Sequence, residues 1–94
     1  MTKAVWNDAV LAESRDTVMV EGNHYFPPEA VDWSRLEPSG TRTTCGWKGV
    51  AHYFHVIVRG ERLRDGAWSY PHPEPAAKNI RDHVAFWHGV EVMS

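Results

Sequence analysis

The sequence predicts a mainly β fold, a small single domain of antiparallel strands in which helix is limited to short turns. Segments of four to eight residues rich in β-branched and apolar side chains recur along the chain, with turn-forming residues between them. No window holds a sustained helical period. The 94 residues are the length of one domain. The whole range 1–94 is therefore predicted to fold as one unit, a small sandwich or barrel.

Three short strands are predicted at the start of the chain. They are the segments KAVW, AVLAES and DTVMVEG, and the pairs Asn7-Asp8 and Arg15-Asp16 between them are favourable turn residues. In the third segment Val18 and Val20 share one face, because side chains alternate along a strand. Gly22-Asn23 is predicted to end that strand.

Prolines determine the next part of the prediction. Pro27-Pro28 excludes a central strand, because proline has no N–H to donate, and the second proline can open a single helical turn. The segment DWSRLEPSGTR is predicted to be a loop with a turn at Pro38-Ser39-Gly40. A long strand is expected from about Val50 to Arg59. The stretch Thr43–Val56, TTCGWKGVAHYFHV, is expected to be a strand that enters the centre of the domain.

The C-terminal third continues the strand pattern. Gly60 marks a second hairpin, and Asp65-Gly66 signals a turn or a bulge before another strand. The segment PHPEPAAKN is rich in proline, so we expect a rigid loop that ends in a helical turn. The segment HVAFWHGVEVM is predicted to be the last strand, either continuous or broken at Gly89.

Composition and charge argue against several classes of partner. The formal net charge of −2, without runs of basic residues, gives no basis for nucleic-acid binding. No apolar run approaches the roughly 20 residues of a membrane-spanning helix, and the N-terminal segment lacks the apolar core of a signal peptide. A single cysteine cannot form an internal disulfide, which favours a reducing compartment, most simply the cytoplasm. We therefore expect no nucleic-acid and no membrane partner.

The histidines and acidic residues do not follow a metal-ligand pattern. Among the six histidines, His52 and His55 are three apart on the predicted strand, so they lie on opposite faces. The chain has no CxxC or HxxxH motif for zinc, no DxD motif for paired metals, and no GxxxxGK[ST] or GxGxxG phosphate loop. The sequence therefore predicts neither a metal nor a cofactor.

Cys45 supports a reactive-cysteine hypothesis and its opposite. It precedes Gly46-Trp47-Lys48, where a nearby ammonium would favour the thiolate, and either His52 or His55 would serve as the base. A free cysteine is also among the most buried residue types, and the buried structural role is the more frequent one.

Aromatic residues surround the least regular parts of the chain and indicate a binding site for a small ligand. Lys48 lies between Trp47 and Gly49, and a glycine lets a ligand or another chain segment approach the backbone closely. Lys48 and Arg15 would hold an anionic end of the ligand. The opposing interpretation is that the rings form the core and that Lys48 is solvated. The predicted pocket is walled by aromatic side chains, namely Tyr25, Trp47, Tyr53, Trp68 and Tyr70.

Four motifs together resemble one family. VEGNHYFP, TTCGWKGVAHYF, AWSYPHPEPAAKNI and HVAFW occur in the order and spacing of a bacterial and fungal family known as domain of unknown function 427. The resemblance covers nearly the whole chain and implies a β-tent fold, the architecture of methionine sulfoxide reductase B and of the ligand domain of cereblon. Two CxxC pairs hold zinc in those proteins, and this sequence has neither pair. The family is also labelled nucleotidyltransferase-like, an activity whose Gly-Ser and Asp-x-Asp elements this chain lacks.

Three functional hypotheses remain open at this point. The first is binding of a small molecule, with an anionic ligand as one option, in the aromatic pocket around Trp47-Lys48. The second is an enzyme in which Cys45 or Lys48 reacts and His52 is the acid or base. The third is a protein interaction module or homodimer that docks through edge strands and exposed tryptophans.

Overall fold

The chain folds into nine strands and three short 3₁₀ helices in a computed structural model that describes all residues 1–94. None of the helices has the length and apolar character needed to cross a membrane. The strands are β1 (Thr2–Trp6), β2 (Ala9–Ser14), β3 (Val18–Val20), β4 (Asn23–Tyr25), β5 (Leu36–Cys45), β6 (Gly49–Val58), β7 (Glu61–Ser69), β8 (Val84–Phe86) and β9 (Glu91–Met93). The 3₁₀ helices are η1 (Pro28–Ala30), η2 (Trp33–Arg35) and η3 (Pro75–Ile80).

The strands form three antiparallel units. Strands β5, β6, β7 and β8 make a four-stranded sheet in that order, β2, β1 and β9 make a three-stranded sheet, and β3 and β4 form a hairpin. The prediction of a mainly β, antiparallel domain with only short helical turns is confirmed. The β-tent architecture implied by the family resemblance stays a prediction.

The segment predicted to be a loop is largely a strand. Leu36–Cys45 forms β5 at one edge of the four-stranded sheet. Pro38 is tolerated there because an edge strand has a side that needs no N–H donor. Thr43–Val56 is correspondingly a hairpin and not one strand, since β5 ends at Cys45 and β6 begins at Gly49.

Strands β5 and β7 each bulge beside the regular strand β6. Pro38 pairs with Phe54 and Arg42 pairs with His52, so residues 39–41 of β5 lie opposite a single residue of β6. Residues 64–66 of β7 lie in the same way opposite His55. The bulge at Asp65-Gly66 is one of the two alternatives that the sequence predicted. Two bulges on either side of one strand open room on the sheet for side chains to converge.

The C-terminal segment HVAFWHGVEVM forms two strands, which is the predicted alternative with a break at Gly89. β8 ends at Phe86 and β9 begins at Glu91, with Gly89 at a φ of +103° between them. A glycine adopts such a backbone conformation without steric cost. The chain can therefore leave the four-stranded sheet and pair with β1 in the other sheet.

Two hydrophobic clusters cover opposite faces of the four-stranded sheet. Ala67 belongs to one cluster and its neighbour Trp68 to the other, as the alternation of side chains along a strand requires. The first face, with Phe26 in its cluster, packs against β1 and β2 and is named the inner face. The second face, with Trp68 in its cluster, is named the aromatic face. His52 lies on the inner face and His55 on the aromatic face, which confirms their predicted separation.

Candidate functional site

Four of the five residues of the predicted aromatic wall form a buried cluster on the aromatic face, whereas Trp47 is 42% exposed in the turn after β5. Tyr25 is fully buried, and Tyr53, Trp68 and Tyr70 are each more than nine-tenths buried. Trp68 meets Tyr25 edge to face with ring centroids 6.2 Å apart, and its Nε1 donates a hydrogen bond of 3.1 Å to the Tyr25 hydroxyl. The rings therefore pack against one another, and the buried polar atoms of Trp68 and Tyr25 are hydrogen-bonded to each other, as is typical of a protein core.

Lys48 is held by the protein itself. Its ammonium forms an ion pair with Glu21 and lies 5.5 Å from the centroid of the Tyr70 ring and 5.7 Å from that of Trp47. Only 7% of Lys48 is exposed. Burial alone would lower the pKa of Lys48, but the hydrogen bond to Glu21 and the nearby Tyr25 and Tyr70 outweigh it and raise the pKa. Lys48 thus ties the turn after β5 to the turn between β3 and β4.

Gly49 admits another segment of the chain and not a ligand. A Cβ at this position would lie 3.2 Å from the carbonyl oxygen of His72 and 3.4 Å from Cα of Pro73. The backbone N–H of Glu74 donates to the Lys48 carbonyl at 3.0 Å. Of the two alternatives predicted for this glycine, the close approach of another chain segment is the one present.

The remaining predicted residues lie apart from one another. Arg15 is exposed in the turn after β2. Cys45 is half-buried at the end of β5 and pairs with Gly49, three residues before His52 on β6. Three residues of strand span about 10 Å, so Cys45 and His52 do not form a nucleophile–base pair.

Two cavities lie on opposite faces of the four-stranded sheet. The cavity on the inner face, named the His52 cavity, has a volume of about 410 Å³. It is lined by Pro28, Trp33, His52, Phe54, Ser69, Pro71 and Asp82. The cavity at the two bulges, named the bulge cavity, has a volume of about 420 Å³. It is lined by Ser39, Gly40, Thr41, His55, Arg62 and Arg64. Neither cavity is lined by Trp47 or Lys48, so the ligand site predicted around them has no cavity in this structure.

The apolar wall of the His52 cavity is built by a short turn that places an indole over the sheet. Asp32 caps η2 by accepting a hydrogen bond from the Ser34 N–H at 3.2 Å, which sets the direction of Trp33. Trp33 Nε1 donates to the Pro28 carbonyl at 2.8 Å, and the ring meets Phe54 edge to face at 5.6 Å. The indole is therefore fixed by one hydrogen bond and one aromatic contact while 42% of Trp33 stays exposed.

The polar side of the His52 cavity follows the strand register. Arg42, His52 and Ser69 are directly opposite one another on β5, β6 and β7, so their side chains share the inner face. Arg42 Nη1 donates to the carbonyls of Ser39 and Thr41 at 3.0 and 2.9 Å, which anchors the guanidinium at the bulge. Neither the His52 ring nor the Ser69 hydroxyl takes part in a side-chain hydrogen bond of the protein, and both residues line the cavity.

His52 should titrate below the usual histidine value of 6.5. Burial lowers its pKa, and the charges of Arg42 and His72 lower it further. The unfolded chain therefore binds a proton at His52 more readily than the folded protein does. Stability is not affected by this proton above pH 6.5, where His52 is neutral in both states, and it decreases as the pH falls from 6.5 toward the pKa of the folded state. An NMR titration of the ring Cε1 proton measures it, with His52→Gln to assign the signal. A pKa at or above 6.5 would contradict this account of the site.

Sequence reasoning missed most of the His52 cavity. It selected His52 but not Trp33, Phe54, Ser69 or Asp82. His52 and Ser69 pair across two strands although they are far apart in the sequence. The register of this pairing depends on the bulges, so no local sequence pattern predicts it. The DWS segment did carry a signal, because aspartate is a preferred residue at the start of a helical turn, the place that Asp32 takes here.

No group of three or more His, Cys, Asp and Glu side chains in the chain is arranged to hold a metal ion. The family model described as domain of unknown function (DUF427) matches residues 1–93. No curated protein matches the chain.

Proposed function

The chain belongs to the DUF427 family, as its motifs predicted. For this chain we propose that it binds a small molecule in the His52 cavity. The observation that carries the proposal is the combination of aromatic and proline walls with three polar side chains, those of His52, Ser69 and Asp82. Small-molecule sites are typically concave and apolar with a few convergent polar groups, and they have volumes of about 300–1,000 Å³.

The polar groups of the His52 cavity favour a neutral hydrogen-bonding group on the ligand. A neutral imidazole offers one donor and one acceptor, and the Ser69 hydroxyl offers both. Asp82 adds an acceptor, and Arg42 lies directly opposite His52 on the neighbouring strand. An amide or a heterocycle that both donates and accepts would be satisfied by these groups. The body of such a ligand would be flat, since Trp33 and Phe54 present ring surfaces.

The proposal keeps the ligand-binding function predicted from the sequence and changes its location. At Lys48 an anionic ligand would have to displace Glu21 from an ion pair that the fold already makes. At His52 no protein group has to be displaced. Arg15 lines neither cavity, so it has no part in the proposed site.

Two tryptophans provide a matched test of the location. Trp33 and Trp47 are both 42% exposed, but only Trp33 lines the His52 cavity. A panel of small aromatic amides and nitrogen heterocycles is titrated against the wild type, Trp33→Ala and Trp47→Ala, and affinity is measured by calorimetry or ligand-observed NMR. We expect members of the panel to bind the wild type, Trp33→Ala to weaken them about tenfold, and Trp47→Ala to leave them unchanged; the loss of an aromatic contact has this order of magnitude.

Two results would count against the proposal. One is a weaker affinity in Trp47→Ala with an unchanged affinity in Trp33→Ala, which would return the site to Lys48. The other is a panel in which no member binds the wild type. A thermal melt of both variants checks that each is folded under the conditions of the titration.

A further inference from the structure

We propose that the bulge cavity is a second binding site, for a small oxyanion such as a carboxylate or a phosphate group. It lies on the aromatic face, away from the His52 cavity, and the proposal does not depend on the function of that cavity. Its lining residues are polar or glycine throughout, with two guanidinium groups and no carboxylate. Such a lining is unsuited to an apolar ligand and suited to a hydrated anion.

A single aspartate builds this cavity by joining the two bulges. Asp65 Oδ1 accepts a hydrogen bond from Ser39 Oγ at 2.6 Å, and its Oδ2 accepts one from Thr41 Oγ1 at 2.8 Å. The Ser39 hydroxyl also accepts from the Thr41 N–H at 3.1 Å. Both oxygens of Asp65 are therefore engaged by hydroxyl donors, and the carboxylate fixes the floor of the cavity without lining it.

The hydrogen bonds of His55 leave a donor for a ligand. The backbone N–H of Asp65 donates to His55 Nδ1 at 3.0 Å. The Asp65 carboxylate is 3.7 Å from the same nitrogen, which is beyond hydrogen-bond distance. Since Nδ1 accepts, the neutral ring carries its proton on Nε2. That N–H has no partner within the protein, and His55 lines the cavity.

The two arginines of the bulge cavity differ in whether they form an ion pair within the protein. Arg62 forms an ion pair with Glu37 at 2.9 Å, whereas Arg64 has no ion-pair partner within 4.0 Å. Arg64 is therefore the primary group for the ligand, because a guanidinium presents a planar pair of N–H donors that matches two oxygens of one oxyanion. The Nε2–H of His55 would hold a third contact.

The test uses phosphate and acetate as separate probes against the full chain. Each is titrated at constant ionic strength with chloride as the background anion, and the arginine Nε–H and histidine ring signals are followed by NMR. We expect saturable shifts at Arg64 and at His55 Nε2–H, with a dissociation constant of about 1 mM or tighter for at least one probe. The tighter of the two identifies the ligand as a phosphate or as a carboxylate. The His55 nitrogen shifts should also show the Nε2–H tautomer.

A pair of arginine variants separates a built site from general attraction. Arg64→Gln should weaken the binding at least tenfold. Arg15→Gln is the control, since Arg15 is exposed, has no ion pair and lines neither cavity. Equal weakening by both variants, or shifts spread over all arginines without saturation, would overturn the proposal. So would a wild-type spectrum in which neither probe moves the Arg64 and His55 signals. Arg64 is exposed, so its variant should remain folded, which a thermal melt verifies.

Discussion

Replacing Trp68 with alanine should lower the free energy of unfolding by about 3–5 kcal/mol, the usual cost of removing a buried tryptophan ring. Trp68 is 8% exposed and packs against Tyr25, Tyr53 and Trp87, with ring centroids 5.3–6.3 Å away. The alanine would leave a cavity on the aromatic face. It would also leave the buried Tyr25 hydroxyl without the indole N–H that donates to it.

Urea denaturation of three variants measures the effect. Trp47→Ala is the control, because Trp47 is 42% exposed, and its loss should cost less than about 1 kcal/mol. Tyr25→Phe removes only the hydroxyl that accepts from Trp68, so an intermediate cost of about 1–3 kcal/mol is expected. Similar costs for Trp68→Ala and Trp47→Ala would contradict the assignment of the aromatic residues to the core.

Replacing Asp65 with alanine should cost about 2–4 kcal/mol. Asp65 accepts hydrogen bonds from the hydroxyls of Ser39 and Thr41, and hydrogen bonds to a charged group contribute about 1.5–3 kcal/mol each, without simple additivity. Asp65 also has a φ of +52°, which alanine adopts less readily than aspartate or asparagine. Asp65→Asn is the matched variant, since it keeps the shape and the backbone tolerance and removes the charge.

The same aspartate gives a pH dependence with a definite sign. Burial alone would raise the pKa of Asp65, but the hydroxyl donors of Ser39 and Thr41 and the nearby His55 and Arg64 outweigh it and lower the pKa. Because the folded pKa is below the usual 3.8, the stabilisation is present above that pH and is lost as the pH falls through the folded pKa. Urea midpoints between pH 5 and pH 2 should fall more steeply for the wild type than for Asp65→Asn. Parallel curves would contradict the role of Asp65.

The parts of the fold that follow from local rules were predictable. Asn7 and Asp8 both have positive φ angles, of 54° and 62°, as a tight turn between β1 and β2 requires. Gly60 and Asp65-Gly66 likewise lie at a hairpin and a bulge. The turn signal Pro38-Ser39-Gly40 misled the prediction, because these residues lie at the bulge of an edge strand, where proline is tolerated, and the edge position is set by the whole sheet.

The candidate site was less predictable because it depends on long-range register. Alternation along β6 correctly separated His52 from His55, but nothing local shows that Ser69 and Arg42 flank His52. Lys48 was selected for its aromatic and glycine neighbours, and Trp47 does contact its ammonium, but the ammonium is already paired with Glu21. Aromatic and charged residues that are typical of a binding site therefore also occur as core residues. The location of the cavities distinguishes the two roles in this protein.

In the proposed site, ligands bind at Trp33 and His52, whereas Lys48 and Trp68 are structural and Trp47 lies outside the site. A titration of the indole N–H signals in a ¹⁵N-labelled sample tests this, because Trp33, Trp47 and Trp68 lie in different parts of the molecule. A ligand of the amide or heterocycle class should shift the Trp33 indole saturably and leave those of Trp47 and Trp68 in place. A saturable shift at Trp47 with a silent Trp33 would contradict the account and return the function to Lys48.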